Sequence, residues 1–529
     1  MSSRSIPIPL FLVLINAIAL CPAATDLPPI VPKPVALEMK AGVLVLDSKA
    51  GITATSALQE EAATLTAALK GATGLSLPVQ ENNEKGVICL RLDSQLASLG
   101  KEGYRLTVAA KGIEILAPTT AGIFYGGRTL LQVLPENPNG KEWHVPCLTL
   151  TDYPRFAWRG LMLDCSRTFQ SLEYLRKTID RMAAYRMNVL HLHLTDDQGW
   201  RLEIKKHPEL TRKGAFFDKR YAEPAANEGF YTQEEMKSLI DYARRRHVEI
   251  VPEIEMPSHC NAVLVCRPEL ACPIPFMDGI MPHKIMIGIA RKDMMRYPVF
   301  CAGNDATFEF LEEVLDEVCG LFRSSYVHVG GDETPKMRWE KCPKCQARIQ
   351  SEGLSNEKEL QSYFIKRIEK FLNAKGKRLL GWDEILEGGL APRATVMSWR
   401  GMQGGIAAAT AGHDVVMTPT THCYFDYTYK AINSELAYAF EPVPKDLSPA
   451  QARHILGLQA SFWSHIDRTP DRVDQDLFPR LLSLAERAWS PQEVRNWPDF
   501  RQRLQSQLPR LTAWGIHCYP DDVLSAPIK

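Results

Sequence analysis

The sequence predicts an α/β protein, a (β/α)8 TIM-type barrel preceded by a smaller α+β domain. Three features predict it: short alternating runs up to about Leu150, a later alternation of strands with longer helical segments, and polar or aromatic residues just past each apolar run. With 529 residues, 45% of them apolar, the chain is long enough for more than one ordinary domain and for a large core.

Residues 1–24 read as a secretory signal. Arg4 precedes an apolar run from Ile6 to Leu20, and the small residues Ala23 and Ala24 follow. The run is too short to span a bilayer, and Pro7, Pro9 and the Pro-rich stretch from Asp26 to Pro34 argue against a buried helix. Cys21 raises a lipoprotein reading, which the bulk of Leu20 disfavours. The expectation is an exported protein, periplasmic or extracellular, with no membrane span.

Residues 25–152 form the first domain. Runs such as Tyr104 to Val108 and Ile113 to Ala117 read as strands around helical patterns at Ser56 to Leu69 and Ala121 to Leu134. Asp152-Tyr-Pro-Arg155 supplies a boundary. Residues 153–505 carry eight strand patterns: Gly160 to Asp164, Val189 to Leu194, Glu249 to Glu255, Tyr326 to Gly330, Arg378 to Trp382, Thr395 to Trp399, Asp414 to Thr418 and Ile455 to Ala460. Leu172, Leu175, Ile179, Met182 and Ala183 share one face of the helix after the first of these. Residues 506–529 read as a C-terminal tail.

Lys plus Arg and Asp plus Glu balance at 62 each, so no global field gathers nucleic acid, and a neutral or weakly charged substrate fits better. Among the 13 cysteines only Cys342 and Cys345 form C-x-x-C, read as a local disulfide or loop staple in preference to a metal site. No cofactor and no metal are expected, and nothing in the sequence speaks to oligomeric state.

In such a barrel, chemistry collects at the carboxyl ends of the strands. There the sequence places Asp164, Asp196-Asp197, Glu255 with His259, Asp332-Glu333, Trp382-Asp383-Glu384, Trp399-Arg400, Tyr424 with Asp426, and Trp463. Aromatic walls with a few fixed acceptors suit a sugar, whose C–H faces stack on rings while its hydroxyls take hydrogen bonds. Asp332-Glu333 stands out among the Asp-Glu pairs because it follows a strand closed by Gly330 and Gly331, which let backbone and ligand approach closely. On the residues alone, a catalytic and a structural role for it stay open. So does a metal-dependent hydrolase built on His191, His193, Asp196, Asp197 and His259, although that histidine pair lies within its strand, short of the polar end. A glycan-binding module without turnover is a further alternative.

VHVGGDE, with WRGLMLDCSR, HLHLTDDQGW, VPEIEMPSH, GWDE, SWRG, YFD and LQASFWS in order, resembles glycoside hydrolase family 20, the β-N-acetylhexosaminidases. The resemblance implies a retaining exo-glycosidase. It would release terminal β-linked N-acetylglucosamine or N-acetylgalactosamine from glycans, with the substrate's own acetamido group as nucleophile and an oxazolinium intermediate. It implies Glu333 as general acid and then base, with a pKa raised by Asp332 and an apolar surround. Asp332 would orient the acetamido group, and Tyr424 would donate to its carbonyl oxygen. Trp382, Trp399 and Trp463 would box the acetyl methyl and the ring. His259 and Asp196 would form a relay to Glu333, while Arg159 and Asp426 would hold outer hydroxyls. For Arg159 a salt bridge to Asp164 or another rim carboxylate is the competing reading, and for Asp196 a structural cap. Two departures stand out: His465 where the family has a glutamate two residues after the last tryptophan, which bears on epimer preference, and Ser258 where it has glycine, which bears on the loop carrying His259.

Overall fold

The computed structural model of the protein describes residues 27–81, 87–135, 140–221, 228–464 and 468–525. The expected signal segment and His465 lie outside these residues. The first domain is a seven-stranded mixed sheet built from β1 (Ala36–Leu46), β2 (Ile52–Ala54), β3 (Val79–Gln80), β4 (Ile88–Leu92), β5 (Tyr104–Ala109), β6 (Gly112–Ala117) and β7 (Trp143–Asp152), in the order β1-β7-β5-β6-β4-β2-β3. Helices Gln59–Thr73 and Thr120–Val133 cover it. Both match the helical patterns of the sequence to within a few residues.

The second domain is a closed parallel barrel. Its strands are β8 (Trp158–Asp164), β9 (Val189–His193), β12 (Glu249–Met256), β13 (Tyr326–Gly330), β14 (Arg378–Trp382), β15 (Thr395–Ser398), β16 (Val415–Met417) and β17 (Ile455–Phe462). A two-stranded ribbon, β10 (Thr195–Asp196) with β11 (Gly199–Trp200), follows β9 at its carboxyl end. All eight strand patterns become barrel strands, and β13 and β14 keep their expected bounds.

Side chains alternate between the two faces of each strand. Leu190, Leu379, Val396 and Val415 point into the core shared with the helices, while Val189, Leu380, Met397 and Val416 pack with Trp158, Val251 and Trp382 in a separate cluster inside the barrel. Stepping two residues along β9 and β12 from Val189 and Val251 reaches His191 and Glu253, and two more reach His193 and Glu255. An apolar plug therefore closes the barrel base and a buried polar layer lies above it. The helix Leu172–Ala184 buries Leu175, Ile179, Met182 and Ala183, and its first turn is capped by Ser171, whose side chain accepts from the Tyr174 N–H.

Residues past 505 are not a tail. The helix Trp497–Ala513 runs through that boundary, burying Phe500, Leu504 and Leu511. It clasps the start of the described chain and the helix Thr120–Val133: Arg503 donates to the Ile30 carbonyl at 2.9 Å, Gln507 to that of Pro29 at 2.6 Å, and Arg510 to that of Leu131 at 2.9 Å. No helix among the described residues is long and apolar enough to cross a membrane.

Candidate active site

The mouth of the barrel gathers Asp196, His259, Asp332, Glu333, Trp399, Tyr424 and Trp463, with Trp382 beneath them. β13 delivers the central pair through a bend that requires glycine. Gly330 has φ +68, and a Cβ there would come within 1.6 Å of Glu255 Oε2; Gly331 has φ +95 and meets Ile385. Glu333 itself has φ 47, a left-handed conformation that costs of order 1–3 kcal/mol for a side-chain-bearing residue. The bend turns the two neighbours apart. Asp332 is 8% exposed, whereas the Glu333 side chain is 59% exposed at the lip.

His259 joins them from behind. Its Nδ1 faces Asp196 at 3.3 Å, Asp197 at 3.5 Å and the Tyr297 hydroxyl at 3.4 Å, and its Nε2 lies 3.5 Å from both Asp332 Oδ2 and Glu333 Oε2. Burial alone would strip the imidazole of its proton, but the negative charges of Asp196 and Asp332 and the hydrogen bond to Asp196 hold its pKa well above the ordinary value. Asp196 also takes Arg167 Nη2 at 2.7 Å and His193 Nε2 at 3.0 Å. Against the cost of its burial, Arg167 and His259 keep it firmly ionised.

Burial, reinforced by the charges of Glu333 and Glu253 and opposed by His259, lifts Asp332 to about 6. Its Oδ1 has no hydrogen-bond partner among the described residues. An unpartnered buried carboxylate oxygen is costly and points to a donor that arrives with a ligand. Ser258, the departure from the family glycine, donates from Oγ to the Asp332 carbonyl at 2.5 Å, fastening the loop after β12 to the bend after β13.

The walls are aromatic. Trp399 stacks on Tyr424 with centroids 6.1 Å apart and planes at 22°, and Trp463 stands 6.4 Å from Tyr424 and 5.7 Å from the buried Trp382. Asp383-Glu384 supports this wall: Asp383 accepts the Trp399 backbone N–H at 3.1 Å, and Glu384 takes the Trp399 indole N–H at 2.9 Å. Burial and the Asp332 charge lift Glu384 to about 8. Asp426 lies two residues past Tyr424 in the same loop, half-buried.

Three expectations need correction. Arg159 is not at the mouth. Trp158 points into the barrel, so Arg159 points out, and it sits at the opening of β8, the end of the barrel remote from the mouth; there it is fully buried and bound by both carboxylate oxygens of Glu102, at 2.9 and 2.5 Å. The arginine at the mouth is Arg167, just past the far end of the same strand, 3.1 Å from Asp164 and with its guanidinium 5.0 Å from the Trp463 ring centre. A strand-end rule applied to the whole motif would have found it. Second, Glu333 is not raised: the hydrogen-bonding reach and charge of His259 lower its pKa despite partial burial. Third, Cys342 and Cys345 form no disulfide; they face Cys272 and Cys301.

The strand histidines of the metal-hydrolase alternative, His191 and His193, converge together with His328 on Glu253, a fully buried hub that the sequence did not single out. His193 Nδ1 bonds to it, His191 Nε2 lies 3.1 Å and His328 Nδ1 2.7 Å away, and Trp382 donates its indole N–H to it at 2.8 Å. Their remaining contacts lie within the barrel: His193 Nε2 faces Asp196, and His191 Nδ1 lies 3.1 Å from Gln459 Nε2. The group therefore serves as a support that locks Trp382 from below.

The catalytic domain of glycosyl hydrolase family 20 matches residues 156–492, and domain 2 of the same family matches residues 27–153. The chain belongs to glycosyl hydrolase family 20. It is 41% identical over 508 residues to a β-hexosaminidase of Porphyromonas gingivalis, covering 92% of this chain and 64% of that one, and 34% identical over 418 residues to a β-hexosaminidase of Vibrio furnissii, covering 73% and 65%. The family-20 chain thus spans a little under two thirds of the length of these two relatives. Among solved structures, the exo-β-N-acetylglucosaminidase of Vibrio harveyi in complex with N-acetylglucosamine superposes with a TM-score of 0.84 at 32% identity, over 93% of this chain and 78% of that one.

Proposed function

We propose that this family-20 chain is a retaining exo-β-N-acetylhexosaminidase in which the substrate's acetamido group is the nucleophile. The observation that carries the proposal is the pair at the bend after β13: a buried carboxylate with one open oxygen beside a carboxyl at the lip, both within reach of one imidazole. Asp332 Oδ1 accepts the acetamido N–H, which turns the amide oxygen toward the anomeric carbon. Glu333, protonated, gives its proton to the glycosidic oxygen as that C–O bond breaks, and the amide oxygen closes on C1. The resulting oxazolinium carries positive charge that Asp332 offsets where water is excluded. Glu333, now a carboxylate, takes a proton from water, which opens the ring at C1 with net retention. Holding the nucleophile within the substrate supplies part of the roughly 7–11 kcal/mol that well-oriented intramolecular reactions gain.

Tyr424, buried beside Trp399 and Trp463, donates to the amide oxygen, and the tryptophans enclose the acetyl methyl. Arg167 takes the sugar-holding role expected of Arg159. His259 and Asp196 are positioning residues: they set the charge that Asp332 and Glu333 feel. Asp332 and Glu333 titrate as a pair, and the active form has the proton on Glu333. A terminal N-acetylglucosamine or N-acetylgalactosamine on an extracellular or periplasmic glycan is the substrate we infer, the export resting on the stretch from Arg4 to Ala24.

The test compares release from aryl β-glycosides of N-acetylglucosamine, N-acetylgalactosamine and glucose. The two acetamido sugars are expected to be cleaved and glucose left intact; equal rates on glucose overturn the proposal. His465→Glu in the same assay is expected to change the ratio between the two acetamido sugars.

A further inference from the structure

Away from the sugar-binding mouth, four cysteines that no motif groups together meet in the core. Cys272 and Cys301 each follow a residue of the Ala271–Phe300 bridge, and Cys342 and Cys345 bracket Pro343-Lys344. Cys272 Sγ lies 3.8 Å from Cys345 Sγ, Cys301 Sγ lies 3.7 Å from those of both Cys342 and Cys345, and all four sulfurs fall within 4.8 Å of one another. All four residues are buried. A disulfide holds its sulfurs at about 2.05 Å. Four sulfurs about 2.3 Å from a common centre, the zinc–thiolate length, stand about 3.8 Å apart in a regular tetrahedron. A polynuclear iron–sulfur cluster would hold its thiolates farther apart, because iron and sulfide stand between them.

The surroundings agree. The Cys345 backbone N–H reaches back to the Cys342 sulfur. The fully buried Arg338 guanidinium acts on Cys272 and Cys342 and offsets part of the negative charge of a tetrathiolate. Gly303 lies flush on the knuckle between the two nearer cysteines, where a Cβ would come within 2.1 Å of the Lys344 backbone.

We propose that Cys272, Cys301, Cys342 and Cys345 bind one zinc ion as a structural, four-thiolate site. Binding releases the four thiol protons and involves no redox change. With four protein sulfurs the shell has no position for water, so the ion does not take part in glycoside cleavage. It fastens the loop after β12, which carries His259 and Tyr297, to the loop after β13, which carries Asp332 and Glu333. Trp339 adds to that junction by donating to the Phe300 carbonyl at 3.0 Å.

The test is metal analysis of the full-length enzyme purified without chelator or metal-affinity resin. About one zinc per chain is expected in the wild type and in Cys319→Ser, which lies outside the cluster, with loss of zinc and a lower melting temperature in a Cys301→Ser/Cys345→Ser variant. Enzyme reconstituted with Co2+ is expected to show the visible bands of a tetrahedral thiolate site. Should the double variant fail to fold, the wild-type zinc content and the cobalt spectrum decide alone. Zinc far below one per chain overturns the proposal, whether the four cysteines are then found as thiols or as two disulfides. Iron in place of zinc, or zinc retained by the double variant, overturns it equally.

Discussion

The two ends of the barrel treat buried charge in opposite ways. At the base, Arg159 is saturated by Glu102 and by the Phe156 and Arg186 carbonyls, and buried Asp152 takes N–H and O–H donors from Val35, Tyr104 and Trp489. At the mouth, Asp332 Oδ1 and both oxygens of Glu255 have no hydrogen-bond partner among the described residues, and Glu333 and His259 hold left-handed backbone conformations. Arg159 and Asp152 at the base are satisfied and join the two domains; Asp332 and Glu255 at the mouth keep open valences for a ligand to meet. Charge at one end contributes stability, and at the other it contributes chemistry.

Substitutions at each end test that contrast. Glu333→Gln is expected to lower kcat by about 10²–10⁴-fold on substrates with poor leaving groups and by less on activated aryl glycosides, which need no proton. Its melting temperature should stay near wild type, because the side chain is largely exposed; a folding defect would contradict the assignment. Asp332→Asn should cost about 10²–10³-fold in kcat, in the range of other lost transition-state contacts. Because it also removes a buried carboxylate with an open oxygen, its stability should hold or rise. At the base, Glu102→Ala leaves Arg159 buried without its carboxylate and should cost about 3–5 kcal/mol in denaturant unfolding, with kcat of the folded enzyme unchanged. A large kcat loss there would return Arg159 to the site. The subtlest effect is one of pH. Imidazolium at His259 lowers both Asp332 and Glu333, so His259→Gln should move both limbs of the kcat/KM profile to higher pH, the alkaline limb from near the value of about 6 to which burial lifts Asp332. An unmoved profile would reduce His259 to a packing role.

Much of this was legible in the sequence because period-two strands and strand-end polarity are local. β13 and its Gly-Gly-Asp-Glu exit, the tryptophans at the ends of β14, β15 and β17, and the order of the motifs could all be taken from consecutive residues. What failed was non-local. Arg159 and Arg167 lie in the same motif, and only the direction of β8 says which one reaches the mouth. The lowered pKa of Glu333 depends on an imidazole brought in by the loop after β12, and the four cysteines are brought together by two loops that share no pattern. Glu253 looked like an ordinary strand residue because its three histidine neighbours come from two other strands.

The clasp formed by the helix Trp497–Ala513 sets an order on biosynthesis. Ile30 and Arg503 are hydrogen-bonded although 473 residues apart. While the ribosome is still at work, the edge that Pro29 and Ile30 will cover must wait, although the N-terminal sheet and the barrel can already meet through Glu102–Arg159 and Asp152–Trp489. When this helix emerges it adds its hydrogen bonds to the junction already made through Arg159 and Asp152, so truncation just before residue 503 should leave both domains formed but more weakly held together.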